Sequence, residues 1–217
     1  MKKLTLIAVF SIAANFIANA QSPRIGFTAG TALANYQTKY ESIKVSSDTK
    51  LGITAGILMD VPIADNFSFQ PGINFVQKGT KYEYSDMGYT EKGETSVNCL
   101  ELPLNFLFNH TGNTGTFFIG AGPSFAIGLS GKDKYDDGTD SYNEKIHFGN
   151  NPDNDDIKRL DIGANLLTGY RFPNGLFISV GYNAGLSNVM PGNSSEDGTL
   201  KSHYLGIKLG FLLNEKK

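Results

Sequence analysis

The chain has 217 residues, among them 25 Gly, 15 Phe and 10 Tyr, with no Trp and a single Cys. Charged residues make up 18% and hydrophobic residues 40%, a balance that fits neither a helical-bundle membrane protein nor a highly charged, disordered chain. A formal net charge of −2 gives no basic footprint for nucleic acid, and one Cys excludes an internal disulfide framework and a cysteine-only metal site.

The chain opens with Lys2 and Lys3, an apolar stretch over residues 4–18, and the small-residue sequence Ala18-Asn19-Ala20 before Gln21. This order predicts a secretory signal peptide over residues 1–20, cleaved after Ala20, followed by a single β-barrel domain over residues 21–217. No Cys follows the cleavage point to carry a lipid. No run of about 18 apolar residues follows either, so a membrane-spanning helix is not predicted.

From residue 24 onward the sequence alternates. In residues 51–61, Leu51, Ile53, Ala55, Ile57, Met59 and Val61 interleave with Gly52, Thr54, Gly56, Leu58 and Asp60, the period of a strand with two unlike faces. The same period runs through residues 24–36, 67–78, 97–109, 117–130, 159–171, 176–187 and 204–211, giving eight predicted strands. About ten residues is the length that crosses a bilayer when tilted. The connections at 62–66, 110–114 and 173–175 are short, whereas those at 37–50, 79–96, 132–156 and 189–199 are long. Strict short–long alternation is the habit of outer-membrane barrels, with tight periplasmic turns and longer external loops.

Residue size decides which face points inward. One face carries Leu, Ile, Phe and Tyr; the other carries Gly, Ser, Thr and Asn with few surface-type charges. A soluble barrel would cover its outside with charge, so the large apolar face is read as lipid-facing and the small face as lumenal. The prediction is an all-β, eight-stranded antiparallel up-and-down transmembrane β-barrel in the bacterial outer membrane, both termini periplasmic. Phe67, Phe69, Phe106, Phe108, Phe117, Tyr170, Phe172 and Phe211 then form an aromatic girdle at the periplasmic interface. The lumen receives Arg24, Asp60 and Arg171 near the periplasmic end, and Lys78, Glu101, Arg159, Asp161 and Lys208 further out. Opposite charges there are expected to pair and fill the interior; a narrow pore along them is the alternative. Pro71, Pro103 and Pro123 fall inside predicted strands, where bulges are expected.

Phe67-Ser68-Phe69-Gln70-Pro71, Gln77-Lys78-Gly79, Leu100-Glu101-Leu102-Pro103-Leu104, Gly120-Ala121-Gly122-Pro123-Ser124 and Gly169-Tyr170-Arg171-Phe172, taken in order, resemble the motifs of PorT-like outer-membrane β-barrel proteins. Pro71-Gly72 departs from the Pro-Glu usual there. The resemblance implies an outer-membrane barrel with lipid as its surroundings and envelope or secretion proteins as partners, without implying one activity.

Catalytic and cofactor motifs are not found. His110, His147 and His203 lack metal-ligand spacing. Ser202 and His203 are adjacent on one strand and face opposite ways, which forbids a nucleophile–base pair. Gly120-Ala121-Gly122 lacks the third glycine and helix of a dinucleotide loop. Cys99 is read as a lumenal packing residue. No cofactor is expected, and no nucleic-acid partner. In the acidic third loop, Asp133, Asp137, Asp155 and Asp156 are weak candidates for Ca²⁺. The functional reading is a non-enzymatic barrel with a filled lumen, structural or acting in binding and adhesion through its outer loops, or accessory to secretion. The alternative is a soluble secreted barrel holding a small ligand.

Overall fold

A computed structural model describes residues 23–40, 43–86, 89–192 and 198–213; the predicted signal peptide lies outside the described residues. Among those residues there are ten strands: β1 (Arg24–Tyr40), β2 (Ile43–Ser46), β3 (Asp48–Ala64), β4 (Phe67–Asp86), β5 (Tyr89–Thr111), β6 (Thr116–Asp136), β7 (Ser141–Lys145), β8 (Leu160–Arg171), β9 (Leu176–Gly185) and β10 (Thr199–Leu212). Eight of them form one antiparallel ring in the order β1, β3, β4, β5, β6, β8, β9, β10, closed by β10 pairing with β1. β2 and β7 are short strands folded back on the ends of β1 and β6.

The register fixes the geometry. A row of directly paired residues starts at Val61, passes Phe69, Phe106, Ala121, Leu166, Tyr182, Leu205 and Leu33, and returns to β3 at Leu51, ten residues from its start. For eight strands that stagger corresponds to a tilt of about 40° and an interior with room for side chains only.

Burial alternates as the sequence does, with the large apolar residues outside. Ile25, Phe27, Ile53, Ile57, Ile73, Leu166, Ile178 and Ile207 are all exposed, while Thr28, Thr54, Asn74, Glu101, Ser124 and Asn183 are buried. A continuous exposed apolar band around a closed barrel is the surface that lipid covers. At the short-turn end of the band the rings of Phe67 and Phe108 meet edge-on at 5.4 Å, Phe69 lies 5.0 Å from Phe106, and Tyr170 lies 5.2 Å from Phe172. Phe117 pairs with Tyr170 and Phe211 with Phe27 in the ladder, so the eight aromatic residues named from the sequence occupy one end of the barrel.

Three expectations are corrected. First, the prolines cause no bulges. The β4–β5 register is the same on both sides of Pro71, and the β5–β6 register is the same on both sides of Pro103 and Pro123. A proline removes one ladder hydrogen bond but inserts no extra residue, so pairing lapses locally and resumes in step. Register shifts occur instead at Thr49/Thr54, Pro62/Ala64 and Asn98/Cys99. Second, the long loops are largely strand. β4 and β5 continue to pair over residues 79–86 and 89–96, β6 continues to Asp136, and β7 pairs with its end. Above the lipid band both sheet faces are wet, so the apolar alternation vanishes while the backbone ladder persists. Third, the inner face is not uniformly small, as described below.

Candidate functional site

The candidate site comprises the filled lumen and the sheet that rises beyond its long-loop end. Five layers fill the lumen. At the short-turn end, Arg24 and Arg171 both pair with Asp60. Arg24 faces Asp60 directly in the β1–β3 ladder, and Arg171 Nη1 lies 3.2 Å from Asp60 Oδ2. Asp60 is fully buried, and two guanidiniums supply the charge its burial requires.

Next comes an apolar layer of Leu107, Phe118, Phe177 and Leu212, with Leu58 and Leu167 packed against it. The strand period puts Leu58, Phe118, Leu167 and Phe177 on the inner parity, although a face of small residues leaves no evident room for them. They fit because glycines leave room: Leu107 fills the space beside Gly120, the Phe118 ring lies on Gly169, and the Phe177 ring lies on Gly210. The Gly surplus closes the lumen by admitting large neighbours rather than by leaving it empty.

Above this layer lies a polar chamber. Asn183 donates to Asn165 Oδ1 (2.7 Å) and to Ser124 Oγ (2.7 Å), and Asn165 donates to Asn105 Oδ1 (3.3 Å). Two small cavities, about 60 and 50 Å³, meet at Asn74, Asn105, Ser179 and Lys208. Each holds a few waters at most, well short of an aqueous path.

The fourth layer is the main ion cluster. Lys78 Nζ lies 2.8 Å from Asp161 Oδ2 and 3.9 Å from Glu101 Oε2, and donates to Ser202 Oγ at 3.3 Å. Ser202 and Ser187 donate to Asp161. Tyr204 donates to Glu101 Oε1 at 2.7 Å, and its ring lies beneath the Lys78 ammonium, 5.5 Å from the ring centroid. Lys78 and Glu101 are almost wholly buried. Lys208 lies below this cluster, on the polar chamber. Arg159 is the exception among the lumenal charges named from the sequence. It precedes β8, is exposed, and sits over the Phe148 ring at 5.4 Å. The strand period was extended one residue too far there.

The fifth layer closes the long-loop end. Residues 146–157 fold inward so that Ile146 and Ile157 pack with Val189 against lumenal Tyr36, Val97, Cys99 and Ala126, with Phe148 beside them. Backbone bonds tie this plug together: Lys158 N donates to Val189 O at 2.7 Å and Val189 N to Leu200 O at 2.9 Å. Cys99 is a buried member of this cluster.

The calcium candidates do not converge. Asp133 accepts from Thr95 Oγ1, Asp137 caps the turn at Thr139 and Asp140, Asp155 accepts from Asn151 N, and Asp156 accepts from His147 N. Asp133 is thus held on strand β6 by a cross-strand bond and the other three by local bonds in the loops, and no metal-type cluster occurs among the described residues. Ser202 is buried inside the lumen, whereas His203 stacks on Tyr182 on the other face. The Ser202 contacts with Lys78 and Asp161 span three strands and left no local signal in the sequence.

Beyond the lipid band, β4–β7 form an outer sheet held by cross-strand ion pairs. Lys50 and Lys81 lie 3.0 and 3.3 Å from the two Glu94 oxygens, and Lys92 lies 3.3 Å from Glu83. Burial raises the Glu94 carboxyl, but the hydrogen bonds and charges of Lys50 and Lys81 outweigh it and leave its pKa below the ordinary value. A lowered carboxyl pKa stabilises the fold above the unfolded-state value, and that contribution is lost as pH falls through the lowered one. Amide exchange around Glu94 and Thr95, corrected for intrinsic rates, is therefore expected to accelerate as pH drops below about 4. Lys50→Met should flatten that dependence; an unchanged profile would contradict the assignment.

The family model described as "Outer membrane protein beta-barrel domain" matches residues 19–190. Among solved structures, the chain is similar to Ail, the attachment invasion locus protein of Yersinia pestis, at 13% identity, covering 88% of this chain and 100% of that one with a TM-score of 0.38. It is similar to Neisserial surface protein A at 12% identity, covering 88% and 99% with a TM-score of 0.40. It is also similar to the N-terminal β-barrel domain of Pseudomonas aeruginosa OprF at 11% identity, covering 90% and 100% with a TM-score of 0.36. No curated protein matches. With a closed eight-stranded ring, an apolar outer band and a family model matched over most of its length, the chain belongs to the outer-membrane β-barrel domain family and is a protein of the bacterial outer membrane.

Proposed function

We propose that this chain is a PorT-like member of the small outer-membrane barrels, exported by a signal peptide cleaved after Ala20. In this reading it acts without catalysis, binding or attaching through its outer sheet. Outer-membrane lipid surrounds it, envelope or secretion proteins are its partners, and nucleic acid is not among them. One observation carries the reading: two apolar plugs and an ion cluster close the lumen, while β4–β7 project a paired sheet beyond the apolar band. A barrel built to conduct would not spend Leu, Phe and Ile on two lumenal plugs.

The test has two parts. In planar bilayers the purified barrel is expected to give no steady conductance, and stable channels would overturn the filled-lumen claim. Replacing the outer hairpin of β4 and β5 (residues 81–94) by a tight turn should leave a folded barrel whose cells lose attachment to surfaces or partner cells. Undiminished attachment by that variant would overturn the binding role.

A further inference from the structure

The outer sheet sorts its chemistry by face. Tyr82 pairs with Gly93, Gly93 with Tyr135, and Tyr135 with Tyr142, so one row crosses β4, β5, β6 and β7. Directly opposite residues in an antiparallel sheet share a face. The Tyr82 ring lies across Gly93, and the Tyr135 and Tyr142 rings stack at 5.0 Å and 26°. Tyr82 and Tyr142 are 44% and 50% exposed. The rows on either side add Tyr84 with Glu91, and Thr95 with Asp133 and Glu144. Beyond the lumen no Lys or Arg of these four strands is on this face; Lys78 shares its parity but is buried in the ion cluster below, and Lys81, Lys92, Lys132, Lys134 and Lys145 fall in the alternate rows.

Two pairings run against stability. Asp133 faces Glu144 directly, and on the reverse face Lys132 faces Lys145. Like charges directly opposite destabilise a sheet, and exchanging one member of each pair would have removed both conflicts. No ion pair to Asp133, Glu144 or Glu91 occurs among the described residues. Glu91 instead accepts from the Tyr82 hydroxyl at 3.2 Å and Asp133 from Thr95 at 2.9 Å. The bonds hold both carboxylates beside the tyrosine row.

We infer that this face is a docking surface for an arginine-bearing extended segment of a partner protein, the guanidinium groups lying over the tyrosine rings and pairing with Glu91, Asp133 and Glu144. A planar, weakly hydrated guanidinium stacks on an aromatic ring and bonds a carboxylate at its edge at the same time. Charge complementarity favours a cationic segment over a phosphorylated or sulfated ligand, because the exposed rows of this face have Glu91, Asp133 and Glu144 while the lysines beside them, Lys81, Lys92 and Lys134, fall in the alternate rows. The inference rests on the proposed binding role of the outer sheet and names the partner chemistry for it.

The test uses the full chain in detergent micelles and a fluorescent Arg-Gly-Arg-Gly-Arg-Gly-Arg peptide, followed by anisotropy. The peptide is expected to bind, a Glu-Gly-Glu-Gly-Glu-Gly-Glu peptide is not, and Tyr142→Ala and Glu144→Gln should each weaken binding about tenfold. Lys134→Ala should bind as the parent does. Heat-shifted gel mobility establishes that every variant is folded. Absence of binding overturns the inference, as does equal binding by Tyr142→Ala, which would mark a diffuse charge effect. If the arginine peptide fails while hairpin-dependent cell attachment persists, this inference falls and the binding role stands.

Discussion

Replacing Lys78 by Met is expected to cost about 3–5 kcal/mol of unfolding free energy, the usual loss when a buried ion pair is broken from one side. Lys78 serves two carboxylates, Asp161 and Glu101, and the substitution leaves both charged in a closed lumen. Their remaining hydrogen-bond partners, Ser187, Ser202 and Tyr204, are neutral hydroxyl donors, and Lys208, across the small cavity from Glu101, makes no ion pair with either carboxylate among the described residues. Urea unfolding in detergent, followed by the gel shift between folded and heat-denatured forms, measures the change. The double variant Lys78→Met/Asp161→Asn should recover part of the loss, because one stranded charge is removed with the ammonium. A single variant as stable as the parent would mean that water reaches the cluster, and the packed-lumen description would be wrong.

The second large effect is expected on the opposite face. Ile207 points outward from β10 and is 43% exposed, away from both ends of its strand. Ile207→Arg places a guanidinium in hydrocarbon and should cost about 2–4 kcal/mol in lipid bilayers. The same substitution on a soluble barrel's water-facing surface would fall within about 0.5 kcal/mol. The comparison therefore reads the solvent of that face directly. Phe211→Arg, at the aromatic end of the same strand, should be milder, because the cost falls toward the interface.

Much of this fold was legible because a barrel writes its two faces into every strand. Residues 51–61 and 176–187 alternate without interruption, and their partners follow from the order of short turns. Arg24, Asp60 and Arg171 were legible as one group because each lies on the inner parity near a short turn. The remainder was hidden for physical reasons. β7 and the upper halves of β4 and β5 have two wet faces, so no apolar period marks them as strands. The plug of Ile146, Phe148 and Ile157 comes from a loop and follows no period at all. Phe118 and Phe177 fall on the inner parity of their strands, yet their role depends on Gly169 and Gly210 lying beside them on neighbouring strands. Such across-strand complementarity is invisible along one chain. Arg159 shows the opposite error, a period extended past the point where the strand ends.

The central claim is that this chain is an outer-membrane barrel whose apolar side faces lipid. Density-gradient fractionation of cell envelopes tests it most directly. The protein is predicted to co-sediment with outer membrane and to leave it only with detergent, not with high salt or carbonate. Recovery in the soluble periplasmic fraction without detergent would contradict the account and return the chain to the soluble-barrel alternative.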